Sequence, residues 1–177
     1  MTNSSAPRPL VPSPSQTVGP FFDFCLTPDT QHGRLFPESG SRIRLAVRVT
    51  DGGAQPVDDA VVEIWQTGGV PDGESAFGRL GTRADGTCEF DTVRPSALAD
   101  GGAAHVNVCL FARGLLQQLY TRIYFADDLL LASDRALAIV PEGRRSTLLA
   151  QRDASSPDRW TFDIRLQGAR ETVFFDV

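Results

Sequence analysis

The chain contains no lysine, so all seventeen of its basic side chains are arginines, and with 22 acidic residues its formal net charge is −5. It therefore has no basic surplus of the kind that draws proteins onto nucleic-acid phosphates. Cysteine is also scarce: Cys25, Cys88 and Cys109 are odd in number and form no Cys-x-x-Cys pair. Neither a disulfide framework nor a zinc site is indicated, and this fits a reducing cytoplasm.

Long apolar runs and common catalytic motifs are missing as well. Residues 1–16 are rich in Ser and Pro without a charged head or an apolar segment, and no later apolar run approaches about 20 residues. We expect neither a signal peptide nor a membrane span. The sequence has no Gly-rich phosphate loop, no Gly-x-Ser-x-Gly elbow and no His-Glu-x-x-His motif, so most nucleotide-binding and hydrolase functions are excluded.

Short β-rich runs separated by Gly, Asp and Pro turns make up most of the chain. From Arg42 to Thr50 apolar residues alternate with polar ones, which predicts a half-buried strand. The sequence Ala84-Asp85-Gly86 indicates a hairpin turn. Further strands are predicted at residues 57–66, 79–83, 87–93, 104–112, 119–125, 160–166 and 171–177. Residues 127–139 fit a short helix or a loop, and the predicted fold class is an all-β sandwich.

The first forty residues differ from the rest because prolines recur through them, at positions 7, 9, 12, 14, 20, 28 and 37. We predict an extended N-terminal arm over residues 1–40, followed by a single β-sandwich domain over residues 41–177. An arm of this composition has little apolar surface to bury by itself. It should need another surface to become ordered.

Histidine offers little for a metal or catalytic site. His32 lies in a polar stretch of the arm and is typical of a solvated side chain, whereas His105 lies in a predicted strand. These are the two histidines of the chain. A site that needs two imidazoles would have to join the arm to the strand.

Several motifs occur along the chain in a fixed order. They are SQTVGPFF at 15–22, VEIWQ at 62–66, GR at 78–79, HVN at 105–107, LFARG at 110–114, TRIYF at 121–125, RRSTL at 144–148 and ETVFFD at 171–176. Together they resemble the intradiol ring-cleavage dioxygenases, and among these the α chains of the protocatechuate 3,4-dioxygenases. The resemblance covers most of the chain after Pro14 and implies the β-sandwich fold of that family.

The resemblance also implies what a catalytic chain of this family requires, namely a non-haem ferric iron held by two Tyr and by a His-x-His pair on one strand. The matching place here reads His105-x-Asn107, and an Asn amide is a poor substitute for an imidazole. No Tyr occurs within residues 67–86 or 91–104, where the tyrosine ligands would fall, and Tyr120 and Tyr124 match positions that are not ligands. We predict that this chain has no catalytic residue and binds no metal.

The function implied by the resemblance is therefore that of a subunit. Fe3+ would be held by a homologous β subunit, which uses O2 to cleave protocatechuate between its hydroxyls to 3-carboxy-cis,cis-muconate. This chain would complete the substrate pocket through Thr17, Gly19, Pro20 and Arg113. Gly19 lets a backbone approach a ligand closely and Pro20 stiffens the approach. The family often has Tyr where this chain has Phe21.

Other interpretations of the same residues stay open at this point. The arm residues also fit a plain turn, and Arg113 fits an ordinary surface ion pair. For the whole chain, the alternatives are a non-enzymatic β-sandwich binding module and a stand-alone dioxygenase with an unusual iron site. A binding module should be a stable monomer, whereas a subunit should need its partner.

Overall fold

Strands dominate the computed structural model, which describes residues 11–28, 33–36, 41–67, 75–97 and 101–176. The predicted all-β class is confirmed. Within these ranges the strands are β1 Arg42–Thr50, β2 Val61–Thr67, β3 Ser75–Gly81, β4 Thr87–Val93, β5 His105–Phe111, β6 Leu119–Phe125, β7 Leu149–Asp153 and β8 Ser156–Arg165. The helices are short: α1 Phe22–Leu26, α2 Arg135–Ile139 and α3 Glu142–Arg145. No helix among the described residues is long and apolar enough to cross a membrane.

The strands follow one another in the order β3-β2-β5-β6-β7-β8-β1-β4. The first four form one layer of a sandwich and the last four form the other. The layers are joined where β6 and β7 pair in parallel over two residues, Tyr124 opposite Leu149 and Phe125 opposite Ala150. The main core lies between the layers and includes fully buried Leu45, Ile64 and Phe90. Burial of such side chains is the dominant stabilising contribution in a sandwich of this kind.

The alternation predicted for β1 is confirmed. Its apolar residues Ile43, Leu45, Val47 and Val49 are all buried, since successive side chains of a strand point to opposite faces. The arginines of the other face form ion pairs with the neighbouring strands, Arg42 with Asp91 of β4 and the other two with β8. Arg44 donates to Asp158 and Arg48 donates to Asp163.

A buried polar contact ties the two layers together near one edge of the sandwich. Gln66 of β2 is completely buried, and its Nε2 donates to the carbonyl of Val93 at 2.5 Å. Its Oε1 accepts from the hydroxyl of Thr92 in β4 at 2.9 Å. Because β2 and β4 belong to different layers, these bonds fix the layers against each other and satisfy polar groups that would otherwise be costly to bury.

The turn predicted at residues 84–86 is confirmed, but the prediction that it closes a hairpin of two paired strands is wrong. Gly86 has φ +74°, and its N–H donates to the carbonyl of Arg83 at 2.7 Å. A side chain at Gly86 would meet the carbonyl oxygen of Val49 at 2.6 Å. The flanking strands nevertheless lie at opposite ends of the strand order, because β3 pairs with β2 whereas β4 pairs with β1. The chain crosses between layers here.

The last predicted strand does not form. Within the described residues 171–176, pairing is limited to a single bridge between Phe175 and Tyr120. The segment is held instead by local bonds such as that from the backbone N–H of Arg165 to the hydroxyl of Thr172 at 2.9 Å. The sequence-based prediction also missed β7, which is only five residues long and has an irregular burial pattern. Residues 127–139, left open above, end in helix α2.

In the predicted arm, residues 11–28 are mostly exposed, and α1 interrupts the extended chain that was expected there. Phe21 and Phe24 are 66% and 61% exposed, although their rings pack edge to face with 5.7 Å between the ring centroids. Leu35 and Phe36, by contrast, are buried in the main core. The division into an arm over 1–40 and a domain over 41–177 stays a prediction.

Candidate functional site

The strand that resembles the family's metal-binding strand is β5. Its even-numbered residues Val106, Val108 and Leu110 belong to the main core, so His105 and Asn107 share the opposite, outer face. His105 is 7% exposed, and its Nδ1 lies 3.0 Å from the carbonyl oxygen of Ala103. The His105 ring also packs against the ring of Tyr124 in the neighbouring strand β6, with 5.3 Å between the ring centroids.

A groove of about 450 Å³ runs over the same outer face. We call it the outer groove, and its lining includes Trp65, Asn107, Tyr120, Arg122, Ile139 and Phe175. Trp65 also contacts Phe77 of the adjacent strand at 5.2 Å between ring centroids, while Arg122 lies over the ring of Phe175. The groove therefore combines aromatic walls with a few polar groups, among them the amide of Asn107, the guanidinium of Arg122 and the carboxylate of Asp176. Such a composition suits an aromatic or largely apolar surface.

The donors beside the outer groove do not fit the ferric iron of the family. His105 offers one imidazole, Asn107 offers only an amide, and the two tyrosines are engaged elsewhere. The phenol of Tyr120 accepts from Gln118 at 3.1 Å, and the phenol of Tyr124 donates to Asp134 at 3.1 Å. Among the residues that the structure describes, no three His, Cys, Asp or Glu side chains converge as metal ligands would.

Asp134 organises the segment beside the outer groove. It is 3% exposed and caps helix α2, whose Ile139 lines the groove. Its carboxylate accepts from the backbone N–H groups of Leu137 at 2.9 Å and Ala103 at 3.0 Å, as well as from the phenol of Tyr124. Burial acts to raise the pKa of Asp134, but these hydrogen bonds outweigh it and hold the pKa below its usual range. The same burial raises the pKa of the Tyr124 phenol.

The predicted pocket residues lie at the other end of β5. Beyond Phe111 the chain turns at Gly114, which has φ +89°, and the Gly114 N–H donates to the hydroxyl of Thr17 in the arm at 2.7 Å. Arg113, immediately before this glycine, forms an ion pair with Asp59. Eight residues separate Arg113 from His105, or roughly 26 Å along an unbroken strand. The ladder with β6 is regular from His105 to Leu110, so the two ends are well separated.

The structure thus brings Thr17 to the Arg113–Gly114 turn, whereas Gly19 and Pro20 follow in an exposed turn of the arm. Nothing lies within 4 Å of the position where a Cβ on Gly19 would be. Whether these residues contact substrate stays a prediction. Asp59 was missed by the sequence reasoning, because its partner lies 54 residues away and no local pattern connects the two. His32 lies outside the described residues.

Comparison with solved structures places this architecture in a known class. The dioxygenase domain of a dioxygenase and carbohydrate-binding protein fusion from Streptomyces sp. SirexAA-E is 27% identical, with a TM-score of 0.62. The match covers 90% of this chain and 100% of that domain. The two packed layers of this chain therefore have the β-sandwich fold of the dioxygenase class. No protein-family model matches the chain.

Comparison with curated proteins is more specific. The protocatechuate 3,4-dioxygenase α chain of Burkholderia cepacia is 38% identical over an alignment 195 positions long, which covers 95% of this chain and 98% of the relative. The β chain of the same enzyme and organism is 30% identical over 158 residues, covering 75% of this chain and 67% of the relative. The chain belongs to the family of the protocatechuate 3,4-dioxygenase α chains.

Proposed function

We propose that this chain is the α subunit of a protocatechuate 3,4-dioxygenase and completes the substrate pocket of a homologous β subunit. In this proposal the β subunit holds Fe3+ and, with O2, opens the ring of protocatechuate between its hydroxyls to give 3-carboxy-cis,cis-muconate. The α chain supplies no reacting group. Its contribution is the shape and charge of the pocket wall, through Thr17, Gly19, Pro20 and Arg113.

One observation carries this proposal. The exposed arm is tied by Thr17 to the turn that carries Arg113, so a backbone stretch with an open glycine and a cation are presented together at one rim of the sandwich. An aromatic acid entering a neighbouring subunit's site there would meet a planar guanidinium, which suits a carboxylate. The similarity to both an α and a β chain supports the assignment of the partner.

The residues of this chain also support the assignment of the iron site to the β subunit. Neither the amide of Asn107 nor a tyrosine engaged with Gln118 or Asp134 is an adequate replacement for the family's ligands. The alignment of the β relative with three quarters of this chain supports a partner that is homologous to it. We further propose a cytoplasmic location, which is supported by the three free cysteines.

The decisive experiment is co-expression of this chain with a homologous β chain, compared with expression of this chain alone. We expect a tight hetero-oligomer that contains iron and cleaves protocatechuate, as judged by native mass, iron analysis and product absorbance. The exposed Phe21 and Phe24 give the isolated chain a reason to require a partner surface. A monodisperse monomer whose arm resists proteases in isolation would argue for the binding-module alternative.

The same preparations test the iron assignment. We expect the chain purified alone to hold no stoichiometric iron and to lack the visible absorption of iron-bound tyrosinate, because it offers one imidazole and no available tyrosine pair. The β chain and the complex are the positive controls. Iron that remains on the isolated chain through dialysis, together with that colour, would show the stand-alone dioxygenase interpretation to be correct.

A further inference from the structure

A second concave site lies away from both the outer groove and the arm. It is a cavity of about 320 Å³, which we call the arginine cavity, and its polar lining includes Arg144, Arg165, Arg170, Ser146, Gln151 and Asp163. Its size is within the range of small-molecule sites. The motif Arg144-Arg145-Ser146-Thr147-Leu148 contributes to it, although the proposed pocket function makes no use of that motif.

The charges of the arginine cavity are strongly unbalanced. Its lining holds three guanidinium groups and one carboxylate, and that carboxylate, Asp163, is already bound by both ends of the Arg48 fork at 2.9 and 3.1 Å. Within the described ranges neither Arg165 nor Arg170 has an ion-pair partner. Unpaired cations facing one concavity repel each other, so a negative charge there would be stabilised.

Arg144 adds an unsatisfied donor. One terminal nitrogen of its guanidinium donates to the carbonyl of Glu171 at 2.7 Å, but its Nε is buried without a hydrogen-bond partner in the described structure. A buried N–H that is left unpaired is costly and is commonly satisfied by a bound water or ion.

The backbone holds these arginines in place. The hydroxyl of Thr147 donates to the carbonyl of Arg144 at 2.8 Å and accepts from the N–H of Val173 at 3.3 Å. Gly168, with φ +100°, turns the chain so that the segment after β8 folds back on its own end. The N–H of Arg165 then donates to the hydroxyl of Thr172 at 2.9 Å. Two separate segments are thus fixed around one cavity before any ligand arrives.

We propose that the arginine cavity binds a small multivalent anion, with the chemistry of a phosphate or a polycarboxylate. Arginine forks match the planar or tetrahedral oxygens of such anions and bind them in charge-assisted hydrogen bonds. The cavity is too small for a nucleic acid, and the net charge of −5 disfavours one. The proposal does not depend on ring cleavage, since none of these residues belongs to the proposed substrate pocket.

The test uses the full chain, in complex with its β chain where the two copurify, and isothermal titration at constant ionic strength. Inorganic phosphate and citrate are titrated separately into the wild type and into the variants Arg165→Gln and Arg170→Gln. Arg135→Gln is the matched control, because Arg135 is exposed on α2 and does not line the cavity. We expect saturable binding that each cavity variant weakens about tenfold or more and the control leaves unchanged.

The two ligands distinguish the sources of the anion, since binding of phosphate alone, citrate alone or both supports the proposal and identifies the ligand class. Weak, non-saturable binding that is equal in all variants would be general charge screening and would overturn it. The proposal would also be overturned if neither anion bound to the wild type. If both cavity variants then failed to assemble as well, the cavity would be assigned to an acidic segment of a partner chain.

Discussion

Replacing Arg113 with Ala in the assembled α–β enzyme should lower kcat/KM for protocatechuate by roughly ten- to a hundredfold, because a charge-assisted contact to a carboxylate contributes on the order of 1.5 to 3 kcal/mol. Iron content and assembly should stay intact. The side chain of Arg113 is 54% exposed and its structural partner is a single carboxylate, Asp59. The Asp59 side chain is only 18% exposed, so loss of its partner should cost on the order of 1 kcal/mol of stability. That cost is small beside the stability of a folded domain, so the main loss should appear in kinetics.

Matched variants separate the charge of Arg113 from its ion pair. Asp59→Asn removes the pairing carboxylate and keeps the guanidinium, so kcat/KM should fall much less than in Arg113→Ala. Arg44→Ala removes an arginine that is likewise exposed and ion-paired, to Asp158, but lies in the other layer. It should leave the kinetics unchanged. Unaltered turnover of protocatechuate by an assembled, iron-loaded Arg113→Ala enzyme would exclude Arg113 from the pocket and leave only the arm residues as this chain's contribution.

The variant Asp134→Ala should lower the free energy of unfolding by roughly 3 to 5 kcal/mol, because it leaves several buried donors without an acceptor at once. The donors are the backbone N–H groups of Ala103, Ala136 and Leu137 and the phenol of Tyr124. Loss of the cap on α2 contributes to the same figure. Urea unfolding monitored by far-UV circular dichroism measures the change.

Asp85→Ala is the control for Asp134→Ala, since Asp85 is an exposed turn carboxylate that binds only its neighbour Thr87 among the described residues. Its loss should cost less than about 1 kcal/mol of unfolding free energy. If Asp134→Ala unfolds with the same midpoint as Asp85→Ala, the buried carboxylate does not organise the segment as described. The comparison is informative because both positions lose an aspartate and differ mainly in burial.

Because the pKa of Asp134 is lowered on folding, the free energy of unfolding should depend on pH in a definite direction. Its folded-state pKa lies below the unfolded value of about 3.9, so its ionised form stabilises the fold at all pH values above that unfolded pKa. The contribution is lost as the pH falls from about 4 through the lower, folded-state pKa. We therefore expect the difference in stability between wild type and Asp134→Ala to shrink on acidification in this range.

Features that depend on local periodicity could be predicted from the residues alone. The alternation from Arg42 to Thr50 specifies a strand because its period of two matches the pleat, and the bounds predicted for β6, Leu119 to Phe125, agree with the structure. Chemistry that needs a particular residue type is equally direct. Once the resemblance indicates where the ligands would fall, Asn107 in place of a second imidazole and the absence of tyrosine from residues 67–86 and 91–104 predict that the chain lacks the family's ligand set.

Pairings between distant segments could not be predicted in this way, because no local pattern records which strand edge a segment meets. The turn at Gly86 has the composition of a hairpin, yet β3 and β4 lie at opposite ends of the strand order, because β3 pairs with β2 and β4 pairs with β1. Likewise, only the folded chain brings Thr17 to Gly114, 97 residues away, and gathers Arg144, Arg165 and Arg170 around one cavity. Side-chain type is local, whereas the charge and shape of a site arise from long-range packing.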